Sequence, residues 1–396
     1  MNLQPDDGFV PRHDFRRRQL RKGGGHPIII KEMLVSELET PALLIDLDIM
    51  EANLRRVADY ARENDLRLRP HTKTHKSTAV GRLQLASGAA GLTVAKVGEA
   101  EVMIGAGPPE LLVAYPVIGR TKLDRLMEVA RATRVTVALD NLFCAQQLAV
   151  AARRARVEVG VLAEVDVGLG RVGVEPGEPL VQLAISIARL PRLRLEGIAF
   201  YPGHIKSNDE QGEREIKALS ALVESILADF KAAGIEVGIV SGGSTPALFH
   251  SHEVAGLNEI RPGTYVYNDM NTVMSGGCAL EDCAASILAT VVSTAKPGQM
   301  IIDGGSKTFS SDRLNLSAEI TFGRLKEAPE ASFTKMNEEH GYVDIRKARR
   351  GFQIGDRVNV IPNHVCVAVN LHENVYGVRN GEVEQVWKVE GRGKLQ

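Results

Sequence analysis

Eight apolar runs of strand length, set apart by stretches of helical character, constrain this chain more than any other feature. They are LRLRPHTK (66–73), GLTVAK (91–96), ELLVAYP (110–116), VTVALDN (135–141), VEVGVLAEVDVG (157–168), RLEGIAFYPGH (194–204), IEVGIVSGGS (235–244) and NEIRPGTYVY (258–267). The clearest stretches between them are TKLDRLMEVARATR, LFCAQQLAVAARRA, EPLVQLAISIARLP and EREIKALSALVESILADFKAAG, which space their apolar residues for one helix face. Eight βα units are enough to close a parallel barrel. An open doubly wound sheet is the competitor. It uses fewer strands and a glycine-rich first turn, and neither G-x-G-x-x-G nor a Walker loop is present.

A barrel takes about 250 residues, and this chain has 396. The remainder has a different texture. After about residue 284 come ASILATVVSTA, GQMIIDGG, DRVNVIPNHVCVAV, VYGVRNGEV and EQVWKVEGR, separated by Gly and Asp turns with little helical periodicity. This predicts an all-β domain. TPALLIDLD (40–48) precedes the barrel count and is free to pair with it. The expected division is a basic, mobile arm over 1–28, a strand segment over 29–48 joining the β domain, a (β/α)8 TIM-type barrel over 49–283, and a C-terminal all-β domain over 284–396.

The net charge of -1 gives no global field toward nucleic acid or an anionic membrane. No apolar run approaches the roughly 20 residues of a membrane span. The N-terminal stretch lacks the apolar core of a signal peptide, and its RHDFRRRQLRK run reads as a solvated tail. Cys144, Cys278, Cys283 and Cys366 are too few and too scattered for a disulfide framework, which points to a reducing cytoplasm.

Barrel chemistry sits at the C-terminal ends of strands. The first run delivers His71, Lys73 and His75 there; the fifth delivers Asp166 and then GLGRVG with Arg171; the sixth delivers Tyr201, Gly203 and His204. The seventh brings Ser241-Gly242-Gly243-Ser244-Thr245, and the eighth Arg261, Gly263, Thr264, Tyr265 and Tyr267. SGGST suits a phosphate, because glycines let backbone N–H groups turn toward an anion and the hydroxyls add donors. The plain alternative is a glycine turn between strand and helix. Lys73 stands among cations (Arg69, His71, His75, Lys76), as a nucleophilic lysine requires. A phosphate pocket with a Schiff-base lysine suggests pyridoxal phosphate; the bland reading is a solvated basic loop. His364 and Cys366, two apart in PNHVC, would share one face of a strand and make a zinc half-site, or else pack in the core.

TPALLIDLD, LRPHTKTHK, EVDVGLGRVGV, SGGSTP, RPGTYVYND, EEHG and IPNHVCVAVNLHE together resemble the alanine-racemase-like pyridoxal-phosphate enzymes, in the branch holding D-threonine aldolase and metal-dependent D-serine dehydratase. The resemblance spans Thr40 to Arg392. It implies that Lys73 carries pyridoxal 5'-phosphate, with Lys76 structural. It puts Arg171 at the cofactor's phenolic oxygen and Tyr201 beside the ring. Gly242, Gly243, Ser244, Gly263 and Thr264 would hold the phosphate, with His71 and Arg261 in the same pocket and Tyr265 or Tyr267 as helpers. His364 and Cys366 would hold a divalent metal, zinc or manganese. It also implies a homodimer. The expected activity is a lyase on 3-hydroxy-D-amino acids, either a retro-aldol to glycine and an aldehyde or a deaminating dehydration. The HxC pair resembles the dehydratases; NLHE, VYGVRNGEV and EGRG resemble the aldolases, which is the preferred reading. Familiar aldolases carry a histidine a little further after the tyrosine of the sixth run. Here the segment is YPGHIKSND, so His204 is the candidate substitute, alongside the reading that it only fixes the loop. A non-catalytic cofactor-binding barrel is the alternative from another class; it would lack the metal pair.

Overall fold

The computed structural model describes residues 33–396. The expected arm over 1–28, and the first residues of the 29–48 segment, lie outside the described residues. Two strands precede the barrel: β1 (Met33–Leu34) and β2 (Ala42–Asp46). The chain then turns into the helix Leu47–Glu63, where the Asp46 carboxylate accepts from the Ile49 N–H at 3.1 Å.

The barrel follows as β3 (Arg67–Leu68), β4 (Leu92–Val94), β5 (Glu110–Val113), β6 (Arg134–Leu139), β7 (Val159–Glu164), β8 (Leu193–Ala199), β9 (Ile239–Gly242) and β10 (Glu259–Ile260). All neighbours pair in parallel, in the order β3-β10-β9-β8-β7-β6-β5-β4. A parallel bridge between His71 and Thr93 joins the two ends of that order and closes the sheet. It falls beyond β3 because Pro70 has no N–H to continue a regular ladder. Each of the eight runs supplies one strand, shorter than its apolar stretch. The last is cut to two residues by Pro262, and a 3-10 turn, Thr264–Val266, replaces the expected strand end. Helices Thr78–Ala86 and Val97–Met103 fill two connections whose weak periodicity had not marked them.

Alternate residues of each strand face opposite ways. One set (Leu111, Val113, Val135, Val137, Val159, Val161) joins the main core against the helices. Leu112, Ala138, Leu162, Ala199 and Ile239 form a separate small cluster inside the barrel.

The last domain is built on β11 (Ala285–Ser293) and β12 (Gln299–Ile302). It continues with β13 (Gly323–Leu325), β14 (Ser332–Met336), β15 (Gly341–Asp344), β16 (Arg357–Pro362), β17 (Asn374–Arg379) and β18 (Glu382–Lys388). Strand β2 lies in its sheet, antiparallel to β11 (Leu43 opposite Ile287) and parallel to β17 (Leu44 opposite Tyr376). One expectation fails here. HVCVAV is not a strand: β16 stops at Pro362, His364 is the N-cap residue, and Val365–Leu371 is a helix. The buried Asp269 carboxylate accepts from the Val365 N–H at 2.9 Å, and this tertiary cap overrides the β-propensity of the valines. No helix among the described residues is long and apolar enough to cross a membrane.

Candidate active site

The N-terminal half of the barrel interior is filled by charges. Arg69 and Glu259 are fully buried, with Nη2 and Oε2 2.9 Å apart, and Glu110 stands 3.3 Å from the same guanidinium. Nearby, Glu196 accepts from Arg134 at 2.7 Å and from Thr136 Oγ1 at 2.8 Å. Ser241 Oγ donates to Glu259 Oε1 at 2.6 Å and accepts in turn from Arg261, whose Nη2 donates to the Phe200 carbonyl at 2.8 Å. This network makes the floor of a cavity of ≈ 450 Å³ at the C-terminal rim.

Lys73 lies in the turn after β3 and reaches the cavity with His71. The Lys73 N–H donates to His71 Nδ1 at 3.3 Å. Burial, then the charges of Lys73 and Arg261, hold His71 well below the usual histidine range, so the ring is neutral. Asp166 shapes the loop that carries Arg171: its carboxylate accepts from the N–H groups of Gly168, Leu169 and Gly170. The Arg171 guanidinium stands over the Tyr201 ring at 4.8 Å, and Lys73 Nζ is 5.9 Å from the same ring. Across the cavity lie Gly243, Ser244, Gly263 and Thr264. Gly243 has φ +88, a left-handed backbone that glycine adopts without strain. At Gly263 a Cβ would come within 2.9 Å of the His71 carbonyl oxygen, so only glycine lets the two strands meet there.

The other wall comes from the β domain. His364 lines the cavity, and Cys366 sits one helical step behind it, 3.2 Å from Thr74 Oγ1 on the Lys73 turn. Burial opposes a charged imidazole, but the Cys366 sulfur and the Asp269 carboxylate raise His364 to about 9. Burial alone would raise the Cys366 thiol; His364 and Lys73 lower it instead. His364 Nδ1 is 4.0 Å from Asp269 Oδ2. Among the described residues, no group of three or more His, Cys, Asp or Glu could hold a metal.

Lys73, His71, Arg171, Tyr201, Gly243, Ser244, Arg261, Gly263, Thr264 and His364 come together on one cavity. Gly242 lies just below it, against the Phe200 ring. Three candidates are not brought there. Tyr265 and Tyr267 turn into the main core, where burial pushes both phenols above the usual tyrosine range, and the Tyr265 hydroxyl accepts from Gln84 at 3.3 Å. The Pro202–Ile205 turn tucks His204 behind the wall against Gly168, with Nδ1 buried and without a partner. Its neighbours Gly203, Ile205 and Lys206 line the cavity in its place.

Glu164 and Asp269 were missed. Glu164 is the last residue of β7, two before Asp166 in the same apolar run, so the period-two rule could have found it. It is buried on the cavity with Oε2 unpartnered, and burial raises its pKa against the pull of Arg261 and Arg171. An orphaned carboxylate oxygen facing the cavity, a glycine cradle with Ser and Thr hydroxyls, and a lysine over an aromatic ring fit pyridoxal phosphate.

The family model for the alanine racemase N-terminal domain matches residues 45–271, and a serine dehydratase domain model matches residues 284–378. A 3-hydroxy-D-aspartate aldolase of Paracoccus denitrificans is 33% identical, over 91% of this chain and 93% of its own. The crystal structure of D-threonine aldolase from Filomicrobium marinum superposes with a TM-score of 0.85 at 30% identity, covering 92% of this chain and 99% of that one. D-threo-3-hydroxyaspartate dehydratase from Delftia sp. HT23 gives a TM-score of 0.81 at 30% identity, covering 90% and 98%. A cysteine-to-alanine variant of that dehydratase has been solved in a metal-free form.

Proposed function

The chain belongs to the alanine-racemase-like, fold-type III pyridoxal-phosphate enzymes, and we propose that within them it is a metal-assisted lyase that cleaves 3-hydroxy-D-amino acids by a retro-aldol reaction. One observation carries this reading. A single cavity unites Lys73, Arg171, Tyr201 and the glycine cradle with His364 from the other domain.

Pyridoxal 5'-phosphate, when bound, supplies an electron sink for the pair left at Cα after bond cleavage. Lys73 would hold it covalently through its amine. Ser244 and Thr264 hydroxyls, with the backbone at Gly243 and Gly263, would take its phosphate, and Arg171 its phenolic oxygen. Tyr201 packs under both cations. His364 and Cys366 would hold a divalent metal beside the substrate's β-hydroxyl, where a metal lowers the hydroxyl's pKa. An imidazole and a thiolate favour zinc over manganese. His204, behind the wall, is a loop residue in this reading rather than the base for that hydroxyl. We take the working unit to be a homodimer in a reducing cytoplasm.

A second reading, dehydration, draws its support from Cys366, since the similar Delftia dehydratase was solved metal-free after a cysteine was replaced. Product analysis separates the two. The protein would be incubated with D-threonine, or with 3-hydroxy-D-aspartate, plus pyridoxal phosphate and zinc or manganese. Glycine with an aldehyde supports the aldolase. Ammonia with a 2-oxo acid overturns it in favour of dehydration.

A further inference from the structure

LRPHTKTHK holds two lysines, and the cavity uses only Lys73. Lys76 is buried, with a side chain 8% exposed, and its backbone takes the left-handed φ of +50. That conformation is uncommon for a lysine and persists only when the surroundings fix it. Here they do. Nζ is 3.1 Å from Glu99 Oε1 and donates to Asn370 Oδ1 at 2.9 Å. The Lys76 N–H donates to the Thr72 carbonyl at 2.8 Å, closing the turn that holds Lys73. The Lys76 carbonyl accepts from Gly391 N–H at 2.8 Å.

The three partners outside the turn come from three places. Glu99 is on the helix Val97–Met103, and its other oxygen accepts from the N–H of Ala95, a cavity residue, at 2.8 Å. Asn370 is on the helix Val365–Leu371, four residues after Cys366 and so on the same face. Gly391 is in the C-terminal segment. The Lys73 turn is thus fastened to the helix of the metal pair at two points, Thr74 to Cys366 and Lys76 to Asn370.

We propose that Lys76 is a positioning residue: its ion pair with Glu99 and its hydrogen bond to Asn370 hold the Lys73 turn at a fixed height against the helix bearing Cys366. The inference rests on Lys73 being the cofactor lysine. Without the clamp the turn keeps its sequence but loses two of its anchors, and the Lys73 amine samples positions off the cofactor's aldehyde carbon. Pre-organisation of this kind shows as affinity for the cofactor, not only as turnover.

The test uses the full chain freed of cofactor. Lys76→Met alone would leave Glu99 buried and unpaired, so Lys76→Met/Glu99→Gln removes both charges together. Asn370→Ala keeps the ion pair and cuts only the link to the metal helix. Pyridoxal phosphate is titrated by its visible band, beside a thermal melt, and the bound cofactor is trapped by borohydride and located by mass spectrometry. Expected is a Kd at least about tenfold weaker for the double variant and about threefold weaker for Asn370→Ala, with melting within a few degrees of wild type and the label on Lys73. Unchanged Kd values with lowered melting would make Lys76 merely structural and overturn the proposal, as would a wild-type label on Lys76. A wild-type protein that binds no pyridoxal phosphate would instead sink the underlying functional reading.

Discussion

The charged barrel floor makes the sharpest prediction about stability. Arg69 and Glu259 are both fully buried, with nitrogen and oxygen 2.9 Å apart. At an effective dielectric of about 20 the pair attracts by about 6 kcal/mol, and Glu110 at 3.3 Å adds about 5 kcal/mol to Arg69. Glu259→Gln removes one charge and keeps an acceptor for Ser241. Arg69 then retains Glu110, and the lost carboxylate no longer bears its desolvation cost. Neither the Arg69 guanidinium nor Glu259 Oε2 makes a well-aligned hydrogen bond here, so the attraction is mainly ionic. The net loss should fall at the low end for a broken buried pair, about 3 kcal/mol. Unfolding a chain of 396 residues carries an entropy of about 0.8 kcal/mol/K, so the melting temperature should drop about 4 °C. Arg69→Met should cost a similar amount. The double variant should cost clearly less than the sum, because Glu259→Gln has already removed one of the two carboxylates that Arg69→Met leaves without their partner. Circular dichroism follows the barrel helices, and the single tryptophan, Trp387 in β18, follows the β domain. A Glu259→Gln melt within 1 °C of wild type, or strict additivity of the two substitutions, would refute the argument.

Other outcomes follow from the same geometry. Lys73→Ala should lose both the visible cofactor band and turnover; an intact band would move the covalent role to another lysine. His364→Ala should abolish metal-stimulated activity and lower bound metal measured by mass spectrometry, and unchanged metal content would remove the pair from the site. His204→Ala should leave turnover within about threefold, since the ring lies behind the cavity wall; a loss of about 100-fold or more would restore it as the base. His75 is fully buried, accepts from Ser77 N–H at Nδ1 and faces Gln84 Oε1 with Nε2, a pattern that suits the neutral ring, and burial lowers its pKa to about 4. The unfolded chain therefore binds the extra proton first. Stability should be full above pH 6.5 and fall by about 3 kcal/mol as pH drops from 6.5 to 4. Urea midpoints across that range would show it, and His75→Gln should flatten this part of the slope.

The barrel was legible because its order depends on periodicity, which local sequence carries directly. The rim residues were legible for a related reason: strand ends deliver side chains to one face, so Lys73, Arg171, Tyr201 and Gly263 could be grouped before any coordinates. Contacts that cross the chain were not legible. The valines after His364 favour a strand, and only Asp269, 96 residues before Val365, turns them into a helix. Tyr265 and Tyr267 were placed on the cavity by adjacency to Gly263, but Pro262 ends the strand and the 3-10 turn sends both rings into the core. His204 was chosen by residue type, and which way a short turn points its side chains is set by packing. Lys76 shows the same limit from the other side. Its motif was visible, but its partners Glu99 and Asn370 are far away in sequence.

Strand β2 has a consequence for how the molecule is made. It is formed by residues 42–46, yet its neighbours in the sheet are residues 285–293 and 374–379. At a synthesis rate of about 5–20 residues per second, the last of those neighbours emerges roughly 16 to 66 s after β2 itself. Until residues 285–293 emerge the apolar ALLID segment has both edges unpaired, and one edge stays open until residues 374–379 follow, while the barrel in between can already fold around its own eight strands. The newborn chain is thus a finished barrel trailing an unfinished strand, and the order of events is set by topology. A cut between the two domains would not release two independent pieces, because the second domain keeps one of its central strands at the far end of the first.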